Sequence, residues 1–331
     1  MYLIKIFFIL FSLVSFAYAQ DTNETHETAK KFMKNGDYSN AILVLNRALE
    51  SNPGDIALSK DLALSYYYNL DYKNALGTIK PLLEIDEADD QCYQIAGNIY
   101  KSMNMPLEAE KIYKTGLRKF SFSGPLYNDL GEILWNKKDY EAIKEWEKGI
   151  ERDPSYSRNY FNAAKYYYLS TDKIWSILYG EIFLNMEPYS NKTPEIKDLL
   201  LESYKKLFID VNKERPKEYN RFETAFLTTI NRQSTLAGAG LTPETLAMIR
   251  TRFILDWFHE IKRPNFKLFD YHRQLLQEGL FDAYNQWIFG SAQNLSTFQN
   301  WINTHPEEYA AFSTFQKSRV FKIPAGEYYQ K

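Results

Sequence analysis

Cysteine is almost missing from this chain: Cys92 is the only one in 331 residues. A lone thiol closes no internal disulfide, so stability must come from packing. The length is ample for two cores. Histidine is scarce as well, at four: His26, His259, His272 and His305. His259-Glu260 has no second histidine at zinc-protease spacing, and a site joining His259, Asp270 and His272 would need a tertiary fold the sequence does not spell out. No Gly-rich phosphate loop, Gly-x-Ser-x-Gly elbow or dinucleotide fingerprint occurs, and the glycines of Leu236-Ala237-Gly238-Ala239-Gly240 follow no strand pattern. We therefore expect no catalytic residue, no cofactor and no metal. Positive charge is not in excess, with 40 Lys and Arg against 42 Asp and Glu and a pI near 6.2. That balance excludes the basic surface a nucleic-acid partner would require.

Long apolar runs are missing from everything after the first 20 residues, so no transmembrane segment is expected in the mature chain. The start reads differently. Lys5 precedes an apolar run from Ile6 to Phe16, and Ala17-Tyr18-Ala19 has the small-x-small form of a cleavage site. Residues 1–19 are read as a secretory signal peptide, and the run is too short for a membrane anchor. The product is expected to be exported, in the periplasm or outside the cell, with a mature chain that starts at Gln20.

What the chain has is aromatic residues, 16% of the total with 26 Tyr, and a beat of about 34 residues. Small residues recur at Ala29, Ala63, Gly97, Gly131 and Ala164, and again at Ala41, Ala75, Ala109, Ala142 and Ser176. Between them runs a mostly aromatic series: Phe32, Tyr66, Tyr100, Leu134 and Tyr167. Spacings of three, four and seven inside each unit are helical. A fixed period of this size means stacked supersecondary units. Asp-Tyr turns stand at Asp37-Tyr38, Asp71-Tyr72 and Asp139-Tyr140, and prolines close units at Pro53, Pro154 and Pro188. One residue is missing from the turn of the fourth unit, where Asp139 to Ala142 is shorter by one than Asp37 to Ala41. The fifth unit has Gly180 and Phe183 where a large and then a small residue are usual, which predicts an altered contact to whatever follows.

These features together resemble the tetratricopeptide repeat, a helix–turn–helix of 34 residues. The resemblance implies an all-α superhelical solenoid of about five repeats over 20–190, whose first helices line a concave groove. On that pattern the groove positions are Lys30 and Lys34 in the first repeat and Lys60, Tyr67 and Tyr68 in the second. The third offers Gln94, Asn98 and Lys101, and the fourth Asn128, Glu132 and Trp135. Phe161, Lys165 and Tyr168 follow in the fifth. Amides that bond a peptide backbone in both directions and large rings of low entropy cost suit a protein or peptide partner. The lysines would favour an acidic segment. The Lys and Asn pair of the chaperone-binding carboxylate clamp is not matched, since Gln94 precedes Asn98 and Lys60 precedes Leu64.

After Pro188 the beat stops. Thr193-Pro194-Glu195 predicts an N-cap at Thr193 and a capping helix over 191–211. A polar stretch, Asn212 to Glu218, marks a boundary to a helical C-terminal domain over 212–331. Helices are predicted near Tyr219–Ser234, from Thr242 to Lys262, from Phe269 to Phe289 with a break at Gly279, at Thr297–Asn303 and at Pro306–Gln316, with a frayed tail near Pro324. Arg250, Arg252, Lys262, Arg263 and Lys267 form a candidate anion patch. The run from Gly279 to Trp287 is similar to C-terminal regions of exported repeat proteins of the Bacteroidota. The reading is a non-catalytic interaction scaffold of the cell envelope. The alternatives are an assembly protein that self-associates through its C-terminal helices, or an enzyme with a pocket near His259 and His272.

Overall fold

The structure is a computed structural model that describes residues 24–210, 218–238, 240–260 and 262–329. The expected leader over 1–19 lies outside the described residues, as does most of the expected boundary segment. Contacts divide the chain into two compact units, Met1–Ser121 and Phe122–Lys331. Both are helical throughout their described elements, with no strand.

In the first unit a helix over 24–34 (α1) precedes α2 (Tyr38–Ser51), α3 (Ile56–Tyr68), α4 (Tyr72–Ile79), α5 (Asp90–Ser102) and α6 (Pro106–Lys119). These are three helix pairs, one per repeat. The turn aspartates act as caps: Asp37 and Asp71 accept the backbone N–H of Asn40 and Asn74, three residues on. Pro106 opens α6 at a position where no N–H is needed. Pro81 ends α4 early, and the chain continues as a 3-10 turn over Lys80–Glu84.

The first helix of each pair also stops by one device. Gly36, Leu70 and Asn104 have φ of 75°, 63° and 58° and stand one period apart. In each, the next residue's N–H reaches back to the aromatic series: Asp37 to the Phe32 carbonyl, Asp71 to Tyr66 and Met105 to Tyr100, all at 2.9 Å. This is the Schellman arrangement, in which a left-handed residue lets the chain satisfy the helix's last carbonyls. Lys138, with φ of 60°, does the same in the second unit, where Asp139 N–H bonds Leu134. The repeated aromatic position is thus also the acceptor that closes the turn.

The second unit begins with α7 (Gly124–Asn136), α8 (Ala142–Arg152), α9 (Ser157–Leu169) and α10 (Lys173–Met186), the fourth and fifth repeats. The residue missing from the fourth turn appears as a tightened start to α8, with Ala142 N–H bonding Asp139 and Ile143 bonding Tyr140, three residues back. In the fifth repeat a buried lysine replaces the Schellman turn. Lys173 donates from Nζ to the Tyr168 carbonyl at 2.8 Å and to Ser170, neutralising the negative end of α9.

Next comes α11 (Thr193–Asp210), which packs on α10 and α9. The altered contact foreseen at Gly180 is here: a Cβ on that glycine would stand 3.1 Å from Leu200 of α11. Phe183 fills the adjoining space against Phe161, with ring centroids 5.2 Å apart. The helix starts one residue earlier than expected. Thr193 is already helical, and its hydroxyl donates to the Glu187 carbonyl at 2.8 Å instead of capping.

Beyond the boundary come α12 (Arg221–Asn231), α13 (Ser234–Ala237), α14 (Pro243–His259), α15 (Lys267–Gln277) and α16 (Phe281–Asn285). A π-helical turn over Gln286–Gly290 then leads to α17 (Ser291–Gln293), α18 (Leu295–Thr304) and α19 (Pro306–Lys317). The break at Gly279 occurs, with φ of 70°. The tail is not frayed through Tyr329: Phe321 and Ile323 are buried, and the Tyr329 ring stacks on Phe222 at 4.7 Å.

Arg250 does not belong to a surface patch. It is 2% exposed and pairs with Glu181 of α10, itself 1% exposed. The same carboxylate takes a hydrogen bond from Tyr284 Oη at 2.8 Å and contacts His272 Nε2 at 2.8 Å. Asn285 accepts from Arg250, and Asn185 Nδ2 donates to Tyr284 at 2.7 Å. Burial alone would raise the Glu181 carboxyl, but Arg250 and His272 hold it well below the usual range.

Two predictions follow from this packing. A Cβ on Gly97 would stand 2.1 Å from the Tyr113 ring, whereas one on Gly77 of α4 meets nothing within 4 Å. Gly97→Ala should lower unfolding stability by about 1–3 kcal/mol. Gly77→Ala should raise it by roughly 0.5–1 kcal/mol through helix propensity. Urea titration checks the opposite signs. Separately, Glu181→Gln should cost about 3–5 kcal/mol by stranding Arg250. The double variant Glu181→Leu with Arg250→Met should cost less than the sum of its single changes, which a double-mutant cycle measures.

Candidate functional site

A concavity with a volume near 630 Å³ lies inside the second unit, between α7, α9 and α11. Glu132, Trp135 and Asn136 line it from α7. Phe161, Asn162, Lys165, Tyr168 and Leu169 line it from α9, spaced three and four so that they share a face. Glu195, Asp198, Leu199 and Glu202 of α11 form the opposite wall at the same spacing. Five of the sequence-predicted positions therefore meet here: Glu132, Trp135, Phe161, Lys165 and Tyr168. Sequence reasoning placed α11 as a cap and did not assign it a wall. Its acidic stripe, 195-198-202, was the signal available.

The rings are held by their neighbours. Trp135 packs against Tyr166 and Trp146, each at 6.0 Å between centroids. The indole of Trp146 donates to the Asn128 carbonyl at 3.2 Å. Asn128 itself is fully buried, with its amide spent on Asp129, Glu132 and Asn162. It positions Glu132 across one helical turn rather than facing the cavity.

Lysines around the cavity are engaged within the protein. Lys165 Nζ lies 2.6 Å from Glu195 and 5.0 Å above the Phe161 ring. Lys192 sits 4.3 Å over the same ring and Lys206 3.9 Å over Tyr168. Lys205 pairs with Glu202 at 2.7 Å. Among the described residues Asp198 makes no hydrogen bond or ion pair, and no Lys or Arg stands over the Trp135 or Tyr166 ring.

In the first unit the expected groove residues lie on α1, α3 and α5. Lys30 pairs with Glu27 at 2.9 Å, and Lys34 is exposed. Lys60 is half-buried and pairs with Asp89, the cap of α5. Tyr67 and Tyr68 meet edge to face at 5.1 Å, and Tyr68 stacks on Tyr38 at the same distance. Asn98 accepts from Tyr113 Oη at 2.9 Å. Gln94 and Lys101 are half-buried. Since Lys30, Lys60 and Lys165 all have carboxylate partners inside the protein, the expected pull on an acidic segment is largely spent.

Three further groups bear on chemistry. Cys92 is buried, and burial pushes its thiol up to about 11, so it is not an activated nucleophile. His259 is exposed at the end of α14, while His272 is buried on Glu181. The space left beside His272 is about 10 Å³, room for one water and not for a substrate. Among the described residues no cluster of three metal-ligating side chains occurs, and no helix is long and apolar enough to cross a membrane.

No family model matches the sequence, and no curated protein matches it either. Similar solved structures include PilF of Pseudomonas aeruginosa, at a TM-score of 0.50 and 15% identity over 59% of this chain and 87% of that one. A tetratricopeptide repeat protein of Parabacteroides merdae aligns at 0.43 and 15% identity, over 78% of this chain and 98% of the other. The C-terminal part of a repeat protein of Cytophaga hutchinsonii aligns at 0.44 and 14%, over 83% and 98%. At such identities the likeness concerns the fold alone, which is all-α and of the tetratricopeptide-repeat solenoid class.

Lys197 leaves the cavity wall on the other side of α11. Its Nζ donates to Ser291 Oγ at 3.1 Å and lies 4.1 Å over the Trp287 ring, and burial lowers its pKa to about 7. The unfolded lysine binds its proton up to about 10.4. Between these values the unfolded chain holds more protons, so stability should rise with pH from 7 towards 10, by up to about 1.4 kcal/mol per unit. Urea unfolding at pH 7, 8 and 9 should show the rise, and Lys197→Met should flatten it.

Proposed function

We propose that this protein is a non-catalytic scaffold that holds a protein or peptide segment against the first helices of its repeats, with the α7–α9–α11 cavity as the main anchor. The observation that carries this reading is the cavity itself. It joins half-buried rings, amides and charged groups in a space large enough for several side chains. Trp and Tyr held by packing lose little entropy when they bind, which is why such rings anchor interfaces. The repeat fold supports an interaction role in general. The amino-terminal run through Ala19 supports export to the periplasm or beyond, and the Gly279–Trp287 run supports an exported protein of the Bacteroidota type.

In this reading the remaining helices of the second unit fix α11 and so complete the cavity. Pull-down from envelope extract with the mature chain tests it, comparing wild type with Trp135→Ala and Tyr168→Ala. We expect one or more partners to be retained by wild type and reduced at least 10-fold by the variants, with unchanged helical circular dichroism. Identical partner profiles would rule the cavity out as the anchor.

A further inference from the structure

The basic residues that cluster in sequence from Arg250 onward are divided by the fold. Arg250 is spent on Glu181, and Arg252 lines a cavity beside Glu244 and Asp282. Lys262 and Arg263 stay together, on the link between α14 and α15, and Arg221 joins them from the start of α12. These three cations line a second cavity of the same unit, about 510 Å³ in volume, and no carboxylate lines it. Arg221 and Lys262 are exposed and make no hydrogen bond or ion pair among the described residues. Nearby carboxylates are engaged elsewhere. Glu260 lies within the field of Arg263 but pairs with Arg232 at 3.0 Å. Glu327 accepts the Lys267 N–H at 2.6 Å, and Glu223 takes the Trp175 indole and the Asn220 N–H.

The third cation is fixed in place. Arg263 donates from Nη2 to Thr229 Oγ1 at 3.0 Å, and its guanidinium lies 5.2 Å from the centre of the Trp257 ring. Neither partner carries a charge, so the guanidinium is oriented without being neutralised. Its Nε has no acceptor among the described residues. A planar fork held this way has little freedom left to lose on meeting an oxyanion. The rest of the lining is largely apolar, with Phe222, Pro264 and Tyr329. Tyr329 is pinned at three points. Its ring stacks on Phe222 at 4.7 Å, its hydroxyl donates to the Asn265 carbonyl, and its own carbonyl accepts from Asn220 Nδ2 at 2.6 Å.

We propose that this cavity binds a phosphate monoester of an apolar or aromatic alcohol, with the phosphate among Arg221, Lys262 and Arg263 and the alcohol against Phe222 and Tyr329. A phosphate monoester carries about 1.5–2 negative charges and three strong acceptor oxygens. That matches three separate cations better than a carboxylate does, since one guanidinium satisfies a carboxylate by a bidentate pair. A bare phosphate would leave the ring surfaces against water, whereas an apolar body covers them. The same chemistry is offered by a soluble ester and by a lipid with a terminal phosphate. The site is separate from the α7–α9–α11 cavity and does not depend on the scaffold reading.

Calorimetry on the full mature chain tests this, with phenyl phosphate, inorganic phosphate and benzoate as probes. Phenyl phosphate should bind, and inorganic phosphate and benzoate should each bind roughly 10-fold more weakly or worse. The double variant Arg221→Gln with Lys262→Gln alters two exposed side chains that hold no partner, so it should fold as wild type does. It should bind phenyl phosphate roughly 10-fold more weakly or worse. Arg252→Gln, outside the cavity, should leave binding unchanged. Flotation with phosphatidylcholine vesicles, with and without phosphatidic acid, separates the two sources. Capture by phosphatidic acid vesicles that the double variant loses marks a lipid ligand, and phenyl phosphate binding without such capture marks a soluble one. Benzoate binding as tightly as phenyl phosphate would overturn the phosphate preference, and inorganic phosphate doing so would overturn the apolar wall. Failure of both phenyl phosphate binding and vesicle capture, or binding that the double variant keeps, would overturn the site.

Discussion

The second unit depends on a single buried carboxylate. Glu181 sits in the last helix of the repeats, with no access to water, and gathers Arg250 of α14, His272 of α15 and Tyr284 of α16. An unpaired carboxylate there would be untenable, so these helices must arrive together. The geometry is directional as well as attractive. Asn285 and Asn185 take up further polar atoms of Arg250 and Tyr284, so a shifted helix would strand several groups at once. Around this centre Phe222, Phe253, Trp257 and Phe269 pack ring to ring at 4.8–6.3 Å. The rings supply the apolar burial, and the ion pair fixes the register in which they meet.

The repeats were legible because their physics is local. A small residue at the helix crossing and an aspartate in the turn each recur within one period, whereas the left-handed position passes from Gly36 to Leu70, Asn104 and Lys138 and leaves no common mark. The missing residue of the fourth turn could even be read as a number and found as a tightened first turn of α8. Glu181 left no such mark. Its partners lie 69 to 103 residues away, and in sequence it is one glutamate among many. For the same reason Arg250 read as one member of a basic cluster, although the fold removes it from the surface entirely. Pro81, by contrast, is a local signal that the sequence reading passed over, and it shortens α4 as a helix-interior proline must.

The candidate site divides along the same line. Its floor came from helical spacing on α7 and α9, so Trp135, Phe161, Lys165 and Tyr168 were found where the repeat pattern put them. Spacing tells which face a residue shares, not how deep it lies, and so Asn128 counted as a contact although its amide is consumed inside the unit. Charge was the least legible property. A lysine counted in sequence is a free positive charge, whereas Lys60 and Lys165 in the fold are half of an ion pair.

The departures from the repeat shape the cavity more than its regularity does. Gly180 lacks the side chain that would hold α11 away, since a Cβ there would meet Leu200 at 3.1 Å. Phe183, in place of a small residue, fills the space this creates and supports Phe161 from behind. Buried Lys173 closes α9 without the usual left-handed turn, which leaves Tyr168 and Leu169 at the cavity edge. These three changes bring the 195-198-202 face of α11 opposite α9, and a repeat surface becomes a bounded cavity with acidic walls. A side chain at position 180 would press on Leu200, so the close approach of α11 to α10 depends on this departure from the repeat.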